Sequence, residues 1–290
     1  MLVMRNFEYF RAESLEETIF LIQKNGQTKI LAGGTDLIPK MKRYEISPKT
    51  LIDIKRIPDL RKFKCNGDGS LSIGPLVTFS DILDDSVIKG SYPILYQSAQ
   101  VLGTAQTRNR ATIGGNICNG SPAGDSIPPL ICLDAQLRLI NQEGERWISV
   151  EHFFESPQKT CLRSDELLSE IKIPPLRPKT FGAYMKLGAR KALEIAIISV
   201  GVLITFSKEL EIVDDIRISL GSVAPIPIRC RQAEDILKGK EITEDIIKKT
   251  SLEVQKNINP ISDLRGTSEY RYEMAYILTK RALEGLITKQ

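Results

Sequence analysis

The sequence predicts an α+β protein in two parts. Three observations lead there. Short helical and strand patterns alternate irregularly up to about residue 173, without the regular rhythm of a βαβ wind. A proline-rich stretch, Pro174-Pro-Leu-Arg-Pro178, then interrupts the chain. Beyond it come three long strand patterns followed by three helical ones.

In order, Ser14-Leu-Glu-Glu17 has the form of a capping box and opens a helix with Leu15, Thr18, Ile19 and Ile22 on one face. Lys29–Ala32 reads as a strand and Thr50–Ile54 as a buried one. Asn66-Gly-Asp-Gly69 before Leu71-Ser-Ile73 is a hairpin signal. Ser80 is the expected cap of a short helix, Asp81–Leu83. Pro93–Leu102 reads as a helix, and Pro128-Pro129 starts another that runs through Leu133. Gln136–Ile140 and Arg146–Ile148 form a second hairpin, and Leu167–Ile173 is the last strand before the prolines. In the second part, strands are expected at Phe181–Leu187, Ile195–Phe206 and Ile212–Leu220, and helices at Arg231–Leu237, Thr243–Asn257 and Ser268–Ile287. Tyr270, Met274, Ile277, Leu278 and Arg281 make the expected core stripe of the last helix.

Composition excludes several classes. The chain has 290 residues, 42% hydrophobic and 26% charged, as ordinary globular proteins do. Its net charge of +4 comes from interleaved acids and bases, so no nucleic-acid-binding stripe is visible. No apolar run approaches the ~20 residues of a membrane span. The N-terminal Met1–Phe10 lacks the apolar core of a signal peptide, and a cytoplasmic location is expected. The five cysteines are widely spaced with no Cys-x-x-Cys, which argues against disulfides, zinc or a cluster held by this chain. His152 is the only histidine and reads as structural, which removes histidine-based triads and metal sites. No P-loop and no Gly-x-Gly-x-x-Gly fingerprint is present.

Two glycine turns carry the candidate site. Ile30, Leu31, Ala32, Gly33, Gly34, Thr35, Asp36 and Leu37 read as strand, turn and helix start. A turn of that kind suits a phosphate. Thr112, Ile113, Gly114, Gly115 and Asn116 form the second turn, within a small-residue stretch that ends at Asp125. Exposed backbone N–H groups in such turns can form anion nests. Two of them suit a ligand with two phosphates and a long body.

Together the turns resemble those of the FAD-binding subunit of the molybdenum hydroxylases, the xanthine dehydrogenase and carbon monoxide dehydrogenase group. The resemblance covers nearly the whole chain. It implies a two-part FAD-binding domain of the PCMH type at 1–176. A carbon monoxide dehydrogenase flavoprotein-like domain follows at 177–290, a three-stranded antiparallel sheet with a three-helix bundle. It implies non-covalent FAD held by both turns, with Asp125, Leu102, Leu167 and Lys186 as further contacts. Lys186 would favour the anionic reduced ring, and Ile195 would cover a ring face.

In this reading the chain has no catalytic residue for the organic substrate. It passes electrons from the 2Fe-2S clusters of a partner chain to NAD or another acceptor, molybdopterin sits on a third chain, and the whole is a dimer of heterotrimers. Asn116-Ile-Cys-Asn-Gly120 and the stretch Gly221–Cys230 look like the bacterial xanthine or purine dehydrogenase subunit, while aldehyde and N-heterocycle enzymes share much of both. Gly33-Gly34-Thr35-Asp36, where some relatives have histidine and serine, points away from the carbon monoxide branch. A stand-alone flavin oxidase and a non-catalytic nucleotide-binding protein are the competing readings.

Overall fold

The structure, a computed structural model, describes residues 4–190, 194–207 and 212–287. The N-terminal part begins with a small parallel sheet. β1 (Glu8–Arg11), α1 (Leu15–Lys24), β2 (Thr28–Leu31), α2 (Leu37–Lys42) and β3 (Thr50–Asp53) build it, with β3 between β1 and β2. All four residues of β3 are buried, as the apolar run Leu51–Ile52 demands of a central strand. Ser14 caps α1 through the Glu17 N–H at 3.1 Å, but the Glu17 carboxylate reaches Glu13 N–H rather than Ser14, so the capping box is only half formed.

β4 (Phe63–Cys65) and β5 (Leu71–Ile73) form the hairpin announced by Asn66–Gly69. A helical run follows: α3 (Phe79–Asp84), α4 (Ser86–Ser91), α5 (Pro93–Gln100), α6 (Ala105–Arg108), α7 (Ile113–Cys118) and α8 (Ile127–Cys132). The cap of α3 is Thr78, not Ser80. Thr78 and Asp81 exchange side-chain and backbone bonds in a complete capping box, two residues upstream of the expected start. β6 (Gln136–Asn141), β7 (Gly144–Ser149), the small pair β8 (Phe154–Ser156) and β9 (Lys159–Thr160), and β10 (Leu167–Ile173) complete this part. The larger sheet runs β4-β5-β10-β6-β7, antiparallel throughout.

β10 ends at Ile173 and β11 (Thr180–Leu187) opens a different sheet. β12 (Ile198–Phe206) and β13 (Val213–Gly221) follow, and a short β14 (Ile228–Arg229) makes this sheet four-stranded rather than three. The extra strand is only two residues long, wedged among Pro225, Pro227 and Cys230, too short for periodicity to reveal. β12 starts three residues later than expected, and all nine of its residues are buried. α11 (Ser268–Ile287) covers one face of the sheet, while α5 and α8 pack against the other. The helices are α9 (Arg231–Leu237), α10 (Glu244–Lys256) and α11 (Ser268–Ile287).

The core face of α11 differs from the expected stripe. Arg271, Ala275, Leu278, Ala282 and Leu286 are buried, whereas Tyr270 and Arg281 face outward and only Leu278 of the stripe is buried. Arg271 displaces the register, because its guanidinium serves as a buried cross-link. It donates to the Ile197 and Ser222 carbonyls at 2.5 and 2.9 Å and to Asp263 at 2.8 Å.

The two parts share packing. Tyr184 and Leu203 belong to the apolar cluster of the N-terminal part. Asp134 bridges Arg217 and Arg229 at 2.9 and 3.0 Å, joining the end of α8 to β13 and β14. Among the described residues no helix is long and apolar enough to cross a membrane, and no group of three or more His, Cys, Asp or Glu could hold a metal ion. Burial pushes the Cys230 thiol, in the core, and the Cys118 thiol, half-buried beside a cleft, up to about 12, so both stay protonated. Cys132 and Cys230 are buried, Cys118 and Cys161 half-buried, and Cys65 exposed.

Candidate functional site

A cleft of about 690 Å³ runs along the N-terminal part. One wall is the turn between β2 and α2, and the opposite wall combines the start of α7, Asp125 and the segment from Gln158 to Glu166. That volume lies in the range that holds a cofactor-sized ligand.

The first turn forms because Gly34 adopts φ +75°, which a β-carbon would strain. The backbone N–H groups of Gly34, Thr35 and Asp36 have no hydrogen-bond partner among the described residues. The Asp36 side chain makes no cap bond to α2 either. Three adjacent donors without a partner therefore belong to residues that line the cleft, an arrangement that suits an anion or water.

The second turn differs from its expected role. The Gly114 N–H donates to the Pro75 carbonyl at 3.0 Å, Ile113 to Val77 at 2.9 Å, and Gly115 to the Thr112 hydroxyl at 3.1 Å. Its amides are consumed within the fold, so it offers no backbone nest. A β-carbon on Gly114 would lie 2.4 Å from the Pro75 Cβ, and one on Gly33 would lie 2.0 Å from the Arg110 carbonyl oxygen. These two glycines let the turns pack closely against neighbouring chain, and Gly33 lines the cleft as well. What the second turn does bring to the cleft is Asn116. Its Oδ1 accepts from the Ser126 N–H and hydroxyl at 3.3 and 2.7 Å, which leaves its Nδ2 as a donor with no partner among the described residues.

Ile30, Ala32, Gly33, Gly34, Thr35, Asp36 and Leu37 line the cleft, as do Leu102, Thr112, Gly115, Asn116 and Asp125. The other expected contacts do not. Leu31, Ile113 and Leu167 point into apolar cores, because the strand or helix that exposes one neighbour buries the next. Gly114 is packed on Pro75. Lys186 lines a separate smaller hollow of about 410 Å³, with Val101, Gly188, Arg190 and Glu194. Ile195 is 53% exposed, and 191–193 of the stretch before it lie outside the described residues.

Lys186 and Asp125 nevertheless meet. Lys186 Nζ lies 2.8 Å from Asp125 Oδ2, and both side chains are under a tenth exposed. The Tyr184 hydroxyl donates to Asp125 Oδ1 at 2.9 Å. Burial pushes the Asp125 carboxyl above its ordinary value, and the ammonium and the phenol oppose that push. The charge of Lys186 is thus already compensated by the Asp125 carboxylate.

Sequence reasoning missed part of the lining. Lys40 Nζ donates to Asn119 Oδ1 and Gln158 Oε1, both at 3.0 Å, pinning α2 to the β8–β9 segment. Lys29, Lys159 and Arg163 add positive charge to the lining. Glu166 is held by Arg146 at 2.6 Å. None of these residues lies in a recognisable motif. Lys29 and Lys40 flank the first turn on β2 and α2, and the fold brings Gln158, Lys159, Arg163 and Glu166 to the opposite wall. His152 is exposed at the end of a short turn of 3-10 helix, in keeping with no role in the site.

Comparison with known proteins agrees with this geometry. Residues 5–176 match the family described as FAD binding domain in molybdopterin dehydrogenase, and residues 183–286 match the CO dehydrogenase flavoprotein C-terminal domain. The chain is 36% identical over 279 residues to the glyceraldehyde dehydrogenase medium chain of Sulfolobus acidocaldarius, covering 96% of this chain and 97% of that one. It is 32% identical over 276 residues to the xanthine dehydrogenase FAD-binding subunit of Escherichia coli O157:H7, covering 95% and 94%. A solved carbon monoxide dehydrogenase from Hydrogenophaga pseudoflava superposes with a TM-score of 0.94 at 32% identity, over 99% of each chain. Overall identity therefore does not set the xanthine branch above the aldehyde or carbon monoxide branches. With its cleft, its free turn amides and both halves of the chain matched, the protein belongs to the FAD-binding subunits of the molybdopterin dehydrogenases.

Proposed function

We propose that the cleft holds non-covalent FAD and that the chain serves as the electron-transfer subunit of a molybdenum hydroxylase. The observation that carries this reading is the row of unpartnered N–H groups at Gly34, Thr35 and Asp36, set in the same cleft as the Asn116 amide and the Asp125 carboxylate. The turn amides, with Lys40 nearby, suit the pyrophosphate. Asn116 Nδ2 is a donor for the same end of the ligand. Asp125, an acceptor only, suits ribityl or ribose hydroxyls. Leu102 offers an apolar contact to the ring. FAD, when bound, supplies the ability to take electrons singly and give them up as a pair.

In this proposal residues 1–176 form the FAD-binding unit and 177–290 a second unit that closes the site through Lys186. The partners are an iron–sulfur chain and a molybdopterin chain, assembled as a dimer of heterotrimers in the cytoplasm. NAD is the acceptor, and the substrate class is that of xanthine dehydrogenase. The higher identity to the glyceraldehyde dehydrogenase chain, 36% against 32%, favours an aldehyde as the second reading.

The test is an FAD titration of Asn116→Ala and Lys40→Ala beside the parent, followed by addition of NADH. Each variant loses one hydrogen-bonding or charged contact and is expected to bind FAD roughly tenfold more weakly. Parental affinity in both would remove the pyrophosphate assignment. Bleaching of the flavin by NADH supports NAD as acceptor, and flavin that NADH leaves oxidised rules it out.

A further inference from the structure

Tyr184 touches neither cavity, yet it is the residue on which the Asp125 carboxylate depends. It lies on β11, is 7% exposed, and sits in the apolar cluster of the N-terminal part. Its backbone N–H donates to Gln97 Oε1 at 2.7 Å, which fixes the strand against α5. Its hydroxyl then reaches Asp125 Oδ1 at 2.9 Å, while Lys186, two residues along the same strand, takes Oδ2 at 2.8 Å. Residues 184 and 186 lie on one face of the strand. One strand therefore grips both oxygens of a carboxylate that borders the cleft.

We propose that Tyr184 is a positioning residue for the cofactor: its hydroxyl fixes the Asp125 carboxylate at the cleft wall as an acceptor for a hydroxyl of the cofactor's sugar or ribityl chain. This rests on the FAD reading of the cleft. A carboxylate has about four acceptor positions. Tyr184 and Lys186 occupy two and hold the rotamer, so the remaining two are presented in a defined direction. Without the phenol the carboxylate keeps only its lysine, pivots about that contact, and loses part of the support for its charge. The titratable groups that face it are Tyr184 and Lys186, both from β11. The loop 120–126 that carries Asp125 has no other, and Lys40, Arg163 and Glu166 line other parts of the cleft. Burial raises the Asp125 carboxyl, and the hydrogen bond from Tyr184 is one of the effects that bring it down.

The experiment compares FAD affinity against pH for the full chain, with any chains that co-purify, and for Tyr184→Phe, Asp125→Asn and the double variant. Tyr184→Phe keeps the ring and loses only the hydroxyl. It is expected to bind FAD roughly three- to tenfold more weakly at pH 7. The acid limb of its affinity profile should move upward by about one pH unit, since a donor to the charged form has gone. Asp125→Asn should lose that limb, and adding Tyr184→Phe to it should weaken binding little further. An unshifted limb in Tyr184→Phe, whether affinity falls uniformly or stays parental, overturns the proposal. So does an acid limb that survives in Asp125→Asn, which remains informative if Tyr184→Phe fails to fold. A parent chain that takes up no FAD, alone or with its partners, fails the cofactor reading itself and is distinguishable from these.

Discussion

Gly114→Ala tests why the second glycine turn exists. A β-carbon at this position would lie 2.4 Å from the Pro75 Cβ and 2.7 Å from the Pro75 carbonyl oxygen. Neither atom belongs to a flexible side chain, so the start of α7 must move away from Pro75. Overpacking of this kind costs about 1–3 kcal/mol. The movement also stretches the 3.0 Å bond from Gly114 N–H to Pro75, worth about 1 kcal/mol. The reduced freedom of the unfolded chain returns about 0.5–1 kcal/mol. The balance is a loss of about 2 kcal/mol, or roughly 4–8 °C in Tm for a chain of this size. The assay is urea denaturation of the flavin-free chain, with Gly26→Ala as control. Gly26 has nothing within 4 Å of its would-be β-carbon, so that variant should be neutral or slightly stabilised. If Gly114→Ala unfolds at the parental midpoint, the packing explanation fails and a glycine kept for a ligand returns. If it is destabilised in the absence of FAD, its loss of flavin follows from the fold.

Three further outcomes follow from the structure. Lys186→Met leaves the Asp125 carboxylate buried without its cation and should cost about 3–5 kcal/mol by denaturation, with Asp125→Asn in the same chain recovering part of it. Burial works against ionisation of Glu166, but Arg146 and the Arg163 N–H hold its carboxyl below the ordinary value of 4.5. A depressed carboxyl gives stability that is present above the unfolded value and is lost as pH falls through the folded one. The flavin-free chain should therefore lose stability below about pH 4.5, and Glu166→Gln should flatten that decline. Elemental analysis of the chain freed of its partners should find iron, zinc and molybdenum well below one per chain, and stoichiometric iron would show that its cysteines bind a cluster.

Much of the fold was legible because local signals carry it. Leu167–Ile173, Arg231–Leu237 and Ser268–Ile287 coincide with β10, α9 and α11, where periodicity and flanking breakers agree. The failures have physical causes. Thr78 and Ser80 are both good caps, and only the return bond from Asp81 selects the first. The face of α11 turned on Arg271, a charged residue that no hydrophobic pattern places in a core. At the site, the first turn was readable because Gly34 and three free amides belong to one segment. The close approach of Gly33 to the Arg110 carbonyl and of Gly114 to Pro75 was not legible, because those partners are distant or unremarkable in sequence. Lys40, Gln158 and Tyr184 act through partners 59 to 118 residues away, a range over which no single-sequence pattern operates.

The measurement closest to the central claim is the flavin content of the chain, purified alone and with its partners. The predicted result is equimolar FAD, released intact by acid or denaturant, and its loss when the first turn is altered by Gly34→Val while the parental fold is retained in circular dichroism. A colourless chain in both preparations, or a Gly34→Val chain that keeps equimolar flavin, would contradict the assignment of this cleft to FAD.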